Sequence, residues 1–248
     1  DGTSNSTLQN YNIILDGTIK LKDGGSIDKA VFNQTGVVNP ILDKFTTHTH
    51  NTLNYALYVH KDENGDDAQG LPLFVYTHGR SRGGTQPDID QKASMKSANG
   101  SVALMKKIEE NPGKYASHIL NISYYDINTP ETADVKEVID DLVDRGLVDP
   151  DRIYVAGFSW GGVYTNNLIN AFPGFFATAA TLSPVFGAPD VGADERHKDL
   201  AYWMFINQYN VGIYQSTLSN FINNNLPAMT RARASHFGSN EALTWPYN

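Results

Sequence analysis

The chain contains no cysteine, and that single absence excludes three kinds of chemistry. There can be no disulfide, no thiolate zinc site and no cysteine nucleophile. Long apolar runs are also missing, so no stretch has the length of a membrane-spanning helix and no membrane partner is expected. Positive charge is scarce: 19 Lys and Arg stand against 27 Asp and Glu, for a net charge of -8 over 248 residues. The basic residues form no cluster, which argues against a nucleic-acid partner. No repeat of solenoid length is present. The chain begins at Asp1 without Met, and its first ten residues, DGTSNSTLQN, are polar. That composition suits a flexible segment 1–10 just downstream of a removed signal peptide, and so a secreted or periplasmic protein. A trimmed chain would read the same way.

What is present is a regular alternation of strand and helix signals. Tyr11 to Leu21 and Leu53 to Val59 are β-formers bounded by Gly, Asn and Asp turns. Leu73 to Tyr76, Ile119 to Tyr125, Ile153 to Ala156, Ala177 to Leu182 and Tyr202 to Ile206 read as further strands. Val135, Val138, Ile139, Leu142 and Val143 trace one apolar helix face, which Gly146 closes. Ser216 to Leu226 reads as a short helix and Met229 to Ser235 as a weak last strand. Repeated β-α units predict an α/β fold with a mainly parallel twisted sheet, helices on both faces and an antiparallel N-terminal strand region. One domain is expected over residues 11–248. Active groups should sit at the carboxyl ends of the strands.

The chemistry is concentrated in DRIYVAGFSWGG, Asp151 to Gly162. A buried-type strand runs into Gly157-x-Ser159-x-Gly161, and helical periodicity follows. Strand, tight turn with Ser and helix make a nucleophile elbow. Glycines on both sides of the Ser let strand and helix approach where a Cβ would clash. Ser159 needs a base to take its proton and two N–H donors where an oxyanion will form. The Trp160 N–H, at the start of the helix, is the first candidate donor. The Arg80 N–H, in the Thr77-His78-Gly79-Arg80 loop after the strand Leu73 to Tyr76, is the second. His78 is expected to prop that loop rather than move protons.

PLFVYTHG (Pro72 to Gly79) and VDPDRIYVAGFSWGG (Val148 to Gly162) together resemble the α/β-hydrolase superfamily. The likeness is to secreted esterases of the polyhydroxybutyrate-depolymerase, feruloyl-esterase and "predicted peptidase" group, and it spans Leu53 to Pro184. It implies an α/β-hydrolase fold, Ser159 as nucleophile, Trp160 and Arg80 as oxyanion donors, and no cofactor. Where that group carries its acid, this chain has Asn210, which cannot supply the negative charge that stabilises an imidazolium. Asp190 is the favoured replacement, with Asp194 beside it. His236 is the only histidine after the strand at Ile206 and is the default base. The group's His precedes a Trp by about three residues, whereas Ala242 holds that place before Trp245. A base on a missing C-terminal segment or a second chain is therefore a further expectation.

These features predict a serine carboxylesterase acting on a small or polymeric ester, with Tyr125, Tyr164 and Phe186 lining the substrate cleft. A peptidase or amidase on the same scaffold, and a catalytically impaired binding protein, are the alternatives. No metal is expected. Asp62, Asn64 and Asp66 lack the Gly and the twelfth-position Glu of a calcium loop and read as a solvated turn. His48 and His50 share one face of an extended segment without an evident third ligand.

Overall fold

A computed structural model of the chain describes residues 12–33, 42–79, 101–124, 131–207 and 213–237. The chain separates into two compact units, 1–43 and 44–248. The first contains a hairpin of β1 (Asn12–Lys20) and β2 (Ser26–Asn33), paired antiparallel. Gly24, at φ +89°, supplies the left-handed turn between them. The N-terminal strands thus form a sheet of their own, and the larger unit begins at Lys44 rather than at residue 11. Alternation in the sequence signalled the strand but not its partner.

The second unit is built on an eight-stranded sheet in the order β10-β9-β8-β7-β5-β6-β4-β3. β3 (Thr46–His50) and β4 (Leu53–Tyr58) form an antiparallel edge, and β4 lies antiparallel to β6 (His118–Ser123). All other neighbours are parallel: β5 (Leu71–Thr77), β6, β7 (Val148–Phe158), β8 (Thr178–Leu182), β9 (Ala201–Asn207) and β10 (Arg233–Phe237). The carboxyl ends of the parallel strands therefore all lie along one edge, where the site is built.

Alternation sets the two faces of the sheet. Leu73 and Val75 of β5, Ile153 and Val155 of β7, and Tyr202, Met204 and Ile206 of β9 are buried in the main core. The helices that contribute to it include α3 (Thr132–Asp144) and α4 (Trp160–Ala171). α3 buries Val135, Val138, Ile139 and Leu142, the face read from the sequence. Gly146 (φ +73°) follows the helix and lets the chain turn back to β7. Each such aliphatic side chain contributes about 1.5–3 kcal/mol on full burial. The alternate residues Phe74, Tyr154 and Trp203 are only half-buried. On that opposite face α1 (Ser101–Glu110) and the short turn α2 (Pro112–Tyr115) stand over Phe74 and Tyr154, enclosing about 460 Å³. The cavity faces the amino-terminal halves of β5 and β7, away from Ser159.

Candidate active site

Ser159 sits between the end of β7 and the first residue of α4 with φ +57° and ψ −116°. A non-glycine residue rarely takes positive φ, and the cost of order 1–3 kcal/mol persists only where the surroundings enforce it. They do so here by close packing. A Cβ at Gly157 would stand 2.1 Å from Thr77 Oγ1 and 2.2 Å from the Gly161 carbonyl oxygen. One at Gly161 would stand 2.0 Å from the Thr77 carbonyl oxygen, and one at Gly162 2.9 Å from Pro184 Cβ. The Ser159 N–H donates to the Leu182 carbonyl at 2.8 Å, and the Ser159 carbonyl accepts from Gly162 and Val163 in the helix. The backbone is thereby pinned on both sides, and the half-buried hydroxyl has no hydrogen-bond partner among the described residues. Trp160 opens the helix, where the first N–H groups have no intrahelical acceptor and the positive end of the dipole lies.

The end of β5 packs directly on this elbow. The Thr77 hydroxyl donates to the Gly161 carbonyl at 2.7 Å and is 2.9 Å from the Thr165 hydroxyl. Next, His78 is buried, with Nδ1 2.5 Å from the Gly79 carbonyl oxygen. That contact makes Nδ1–H the donor, and burial pushes the imidazole pKa down, so the ring is neutral. His78 is thus a prop for the loop. Arg80 and Tyr125 lie outside the described residues, as does Asn210.

The structure does not bring Asp190 to Ser159. The Asp190 N–H donates to the Asn170 side chain at 2.9 Å, and the Asn170 amide returns a bond to the Ala188 carbonyl. Asn170 is the penultimate residue of α4, eleven residues beyond Ser159, or about 16 Å along a helix. The Asp190 carboxylate accepts from the Ala193 N–H at 3.1 Å and shapes its own turn. Asp194 caps the following 3-10 turn and pairs with Arg196, which holds its pKa down to about 2. His197 beside it precedes β9 at the amino-terminal edge of the sheet. The segment after β8 therefore runs away from Ser159, and both aspartate side chains are engaged within their own turns.

His236 is the penultimate residue of β10 and pairs with Ile206 of β9, so it lies within the strand rather than in a loop after it. It stands at the same edge of the sheet as Ser159. Three strand spacings separate β10 from β7, about 14 Å.

Of the aromatics, Tyr164 is fully buried, and its ring stacks on Tyr124 at 4.6 Å. It belongs to the core and lines no cleft, because its place on the second turn of α4 faces the sheet. Phe186 is half-exposed and lines a cleft of about 440 Å³ between residues 185–188 and the helix α5 (Ile213–Asn220). Pro184, against Gly162, ties that segment to the first turn of α4.

Three further residues were passed over in the sequence: Thr77, Tyr124 and Ser183. Ser183 follows β8, is 1 % exposed and takes φ +45°, so two adjacent strands both end in a positive-φ serine. Thr77 ends an otherwise apolar strand and Tyr124 follows a fully buried one, which were the available signals.

His50, Asp134 and Glu137 offer ligand atoms within 4.8 Å of one another. Each is already engaged. His50 Nε2 is 2.8 Å from the Glu137 carboxylate, and Asp134 accepts from Asn51 and Thr52. The cluster docks the β3–β4 turn on the amino end of α3.

Comparison with known proteins agrees with this fold. Residues 113–229 match the prolyl oligopeptidase family. The chain is 26 % identical over 155 residues to an acylamino-acid-releasing enzyme of Arabidopsis thaliana, covering 62 % of this chain and 20 % of that protein. It is 27 % identical over 124 residues to the putative esterase NocK of Nocardia uniformis subsp. tsuyamanensis, covering 49 % of this chain and 35 % of that one. The chain thus spans about a fifth to a third of the length of these two relatives. A thermostable esterase superposes with a TM-score of 0.73 at 23 % identity, over 93 % of this chain and 64 % of the other. The LpqC poly(3-hydroxybutyrate) depolymerase of Bordetella parapertussis gives 0.51 at 11 % identity, over 79 % and 83 %.

Proposed function

We propose that this member of the α/β-hydrolase superfamily is a serine carboxylesterase that works through an acyl-enzyme on Ser159. One observation carries the reading: a serine held at φ +57° between a buried strand and a helix N-terminus, against the end of β5. Such strain has no use in a plain turn. The hydroxyl attacks the ester carbonyl, the carbonyl oxygen takes the negative charge, and main-chain N–H groups beside it stabilise that charge. In this reading the Trp160 N–H, at the start of the helix, is the first donor and the Arg80 N–H is the second. A histidine base accepts the serine proton and returns it to the leaving alcohol, after which water releases the acid; His236 is the candidate, and its side chain has to close the gap that three strand spacings leave, directly or through one water. Of the histidines following Ser159, His197 precedes β9 and His236 alone stands at the carboxyl edge. Phe186 contributes an apolar wall for the acyl or alcohol part. A fluorophosphonate probe tests the proposal. We expect one adduct, on Ser159, abolished by Ser159→Ala; a folded sample left unmodified would defeat it.

A second reading, peptidase or amidase action on the same site, is supported by the prolyl oligopeptidase match and the acylamino-acid-releasing relative. Turnover of a p-nitrophenyl ester against the matching anilide separates the two. The carboxylesterase reading expects the ester alone to be cleaved efficiently.

A further inference from the structure

Three rings stack in a row beneath the elbow. The His78 ring lies on Tyr124 with centroids 4.6 Å apart and 15° between planes, and Tyr124 lies on Tyr164 at 4.6 Å and 27°. They come from three different elements: the end of β5, the residue after β6, and the second turn of α4. His78 and Tyr124 are buried to within 5 % and 3 % exposure, and Tyr164 completely. The Tyr124 hydroxyl also donates to the His78 carbonyl at 2.5 Å.

That carbonyl occupies a demanding place. Its oxygen would be 2.4 Å from a Cβ at Gly161, so it is pressed against the elbow itself. A buried carbonyl there needs a donor, and among the described hydrogen bonds Tyr124 provides it. His78 thereby has its main-chain oxygen fixed by Tyr124 and its ring fixed between Tyr124 and the Gly79 carbonyl. Gly79 in turn abuts Phe158, the residue before the nucleophile.

We propose that Tyr124 is a positioning residue for catalysis: its hydroxyl and ring hold His78 and Gly79 against the elbow, and so set where the chain leaving β5 presents its main chain to the oxyanion. This rests on the serine hydrolase reading of Ser159. Tyr124 touches no substrate and acts through His78. Its ring is retained in phenylalanine, so Tyr124→Phe removes only the bond to the carbonyl.

The test compares wild type and Tyr124→Phe on a p-nitrophenyl ester, with a boronic acid as a mimic of the tetrahedral intermediate. We expect kcat to fall about tenfold with KM within twofold. We expect boronate binding to weaken by the same factor as kcat/KM, with complete fluorophosphonate labelling showing that the fold is intact. A merely structural role would not weaken boronate binding in step with kcat/KM. Wild-type kcat and boronate affinity in the folded, fully labelled variant would overturn this proposal and leave the hydrolase reading standing. A wild type that turns over no ester and takes up no fluorophosphonate would overturn both. Should Tyr124→Phe fail to fold, Tyr164→Phe, which keeps the stack and the His78 bond, serves as the second variant. Its kcat should stay within twofold of wild type, and a fall matching the tenfold loss assigned to Tyr124 would overturn the special place of the His78 carbonyl.

Discussion

The Thr77 hydroxyl and the Gly161 carbonyl, 84 residues apart in the chain, meet at 2.7 Å in the buried interior. This bond joins the strand that ends just before His78 to the helix that begins after Ser159. The Gly161 carbonyl is in the first turn of α4 and the Thr165 hydroxyl is one turn on, so a single threonine grips two turns of the helix. Thr77→Val keeps the shape and removes the grip. It leaves the Thr165 hydroxyl without its Thr77 partner and costs about 1–3 kcal/mol. Urea denaturation of the variant should show that loss, with Thr77→Ser recovering most of it.

Glycine substitutions should separate packing from flexibility. At Gly161 a Cβ would meet the Thr77 main chain at 2.0 Å, and backbone cannot move aside as a side chain can. Gly161→Ala should yield insoluble protein or activity down at least a hundredfold. At Gly113 the nearest atom to a new Cβ is 3.8 Å away, on the Asn111 side chain. Gly113→Ala should be folded and active, with a melting temperature equal to or above that of wild type. Equal behaviour of the two variants would contradict the close approach at the elbow.

The elbow was legible in the sequence because every part of it is local. Strand, turn and helix follow one another within Asp151 to Gly162, and glycine spacing alone implies the close approach. The helix face of α3 was legible for the same reason. Asp190 was not, because its place depends on the path of the segment after β8. Nothing in that segment says that Asn170, at the far end of α4, will catch its main chain. Tyr164 shows the complementary error. A place five residues after Ser159 suggests proximity to substrate, yet the helix turns that position into the sheet. The β3–β4 turn docks through His50 on Glu137 and through Asn51 and Thr52 on Asp134, pairs that lie more than eighty residues apart and leave no local pattern.

The path after β8 makes a catalytic prediction. Asp190→Asn keeps the size of the side chain and an oxygen acceptor for the Ala193 N–H. Ester turnover should stay within twofold of wild type. His236→Ala should lower kcat by three orders of magnitude or more, as expected for loss of a general base in an acyl-transfer site. The two are read together in one p-nitrophenyl ester assay. If Asp190→Asn is the damaging change, the placement of Asp190 beside Asn170 is wrong. If His236→Ala is harmless while Ser159→Ala is not, the proton goes elsewhere.

The cleft beside Phe186 should govern the choice of ester. Thr217 holds the Val185 carbonyl at 2.8 Å, so the segment carrying Phe186 is fixed to α5 while the ring itself is half-exposed. Phe186→Ala removes an apolar wall without cutting that tie. KM should rise with acyl chain length, leaving acetate nearly unaffected and octanoate weakened about tenfold. A uniform change across chain lengths would place the acyl group elsewhere.

Buried histidines predict a stability that falls on mild acidification. His118, 1 % exposed, accepts the His60 N–H at Nδ1, 3.1 Å away, and Nε2 is 3.1 Å from the Leu147 carbonyl oxygen. Both contacts require the neutral ring with its proton on Nε2, since a protonated Nδ1 would face a donor. Burial lowers the pKa of His118 and of His78 below the usual 6.5. The unfolded chain, with ordinary histidines, takes up protons first as pH drops through 6.5. The folded chain does not follow until pH reaches the depressed values, so unfolding becomes progressively more favourable between them. Above 6.5 the effect vanishes. The carboxylates with lowered pKa, such as Asp149 and Asp194, act in the opposite pH range, below their unfolded values near 3.8. A decline in the urea midpoint between pH 7.5 and 5 therefore reports histidines. His118→Gln, which cannot titrate, should flatten that decline, and a midpoint that is independent of pH in the wild type would mean that these rings take up protons at the same pH in the folded and the unfolded chain.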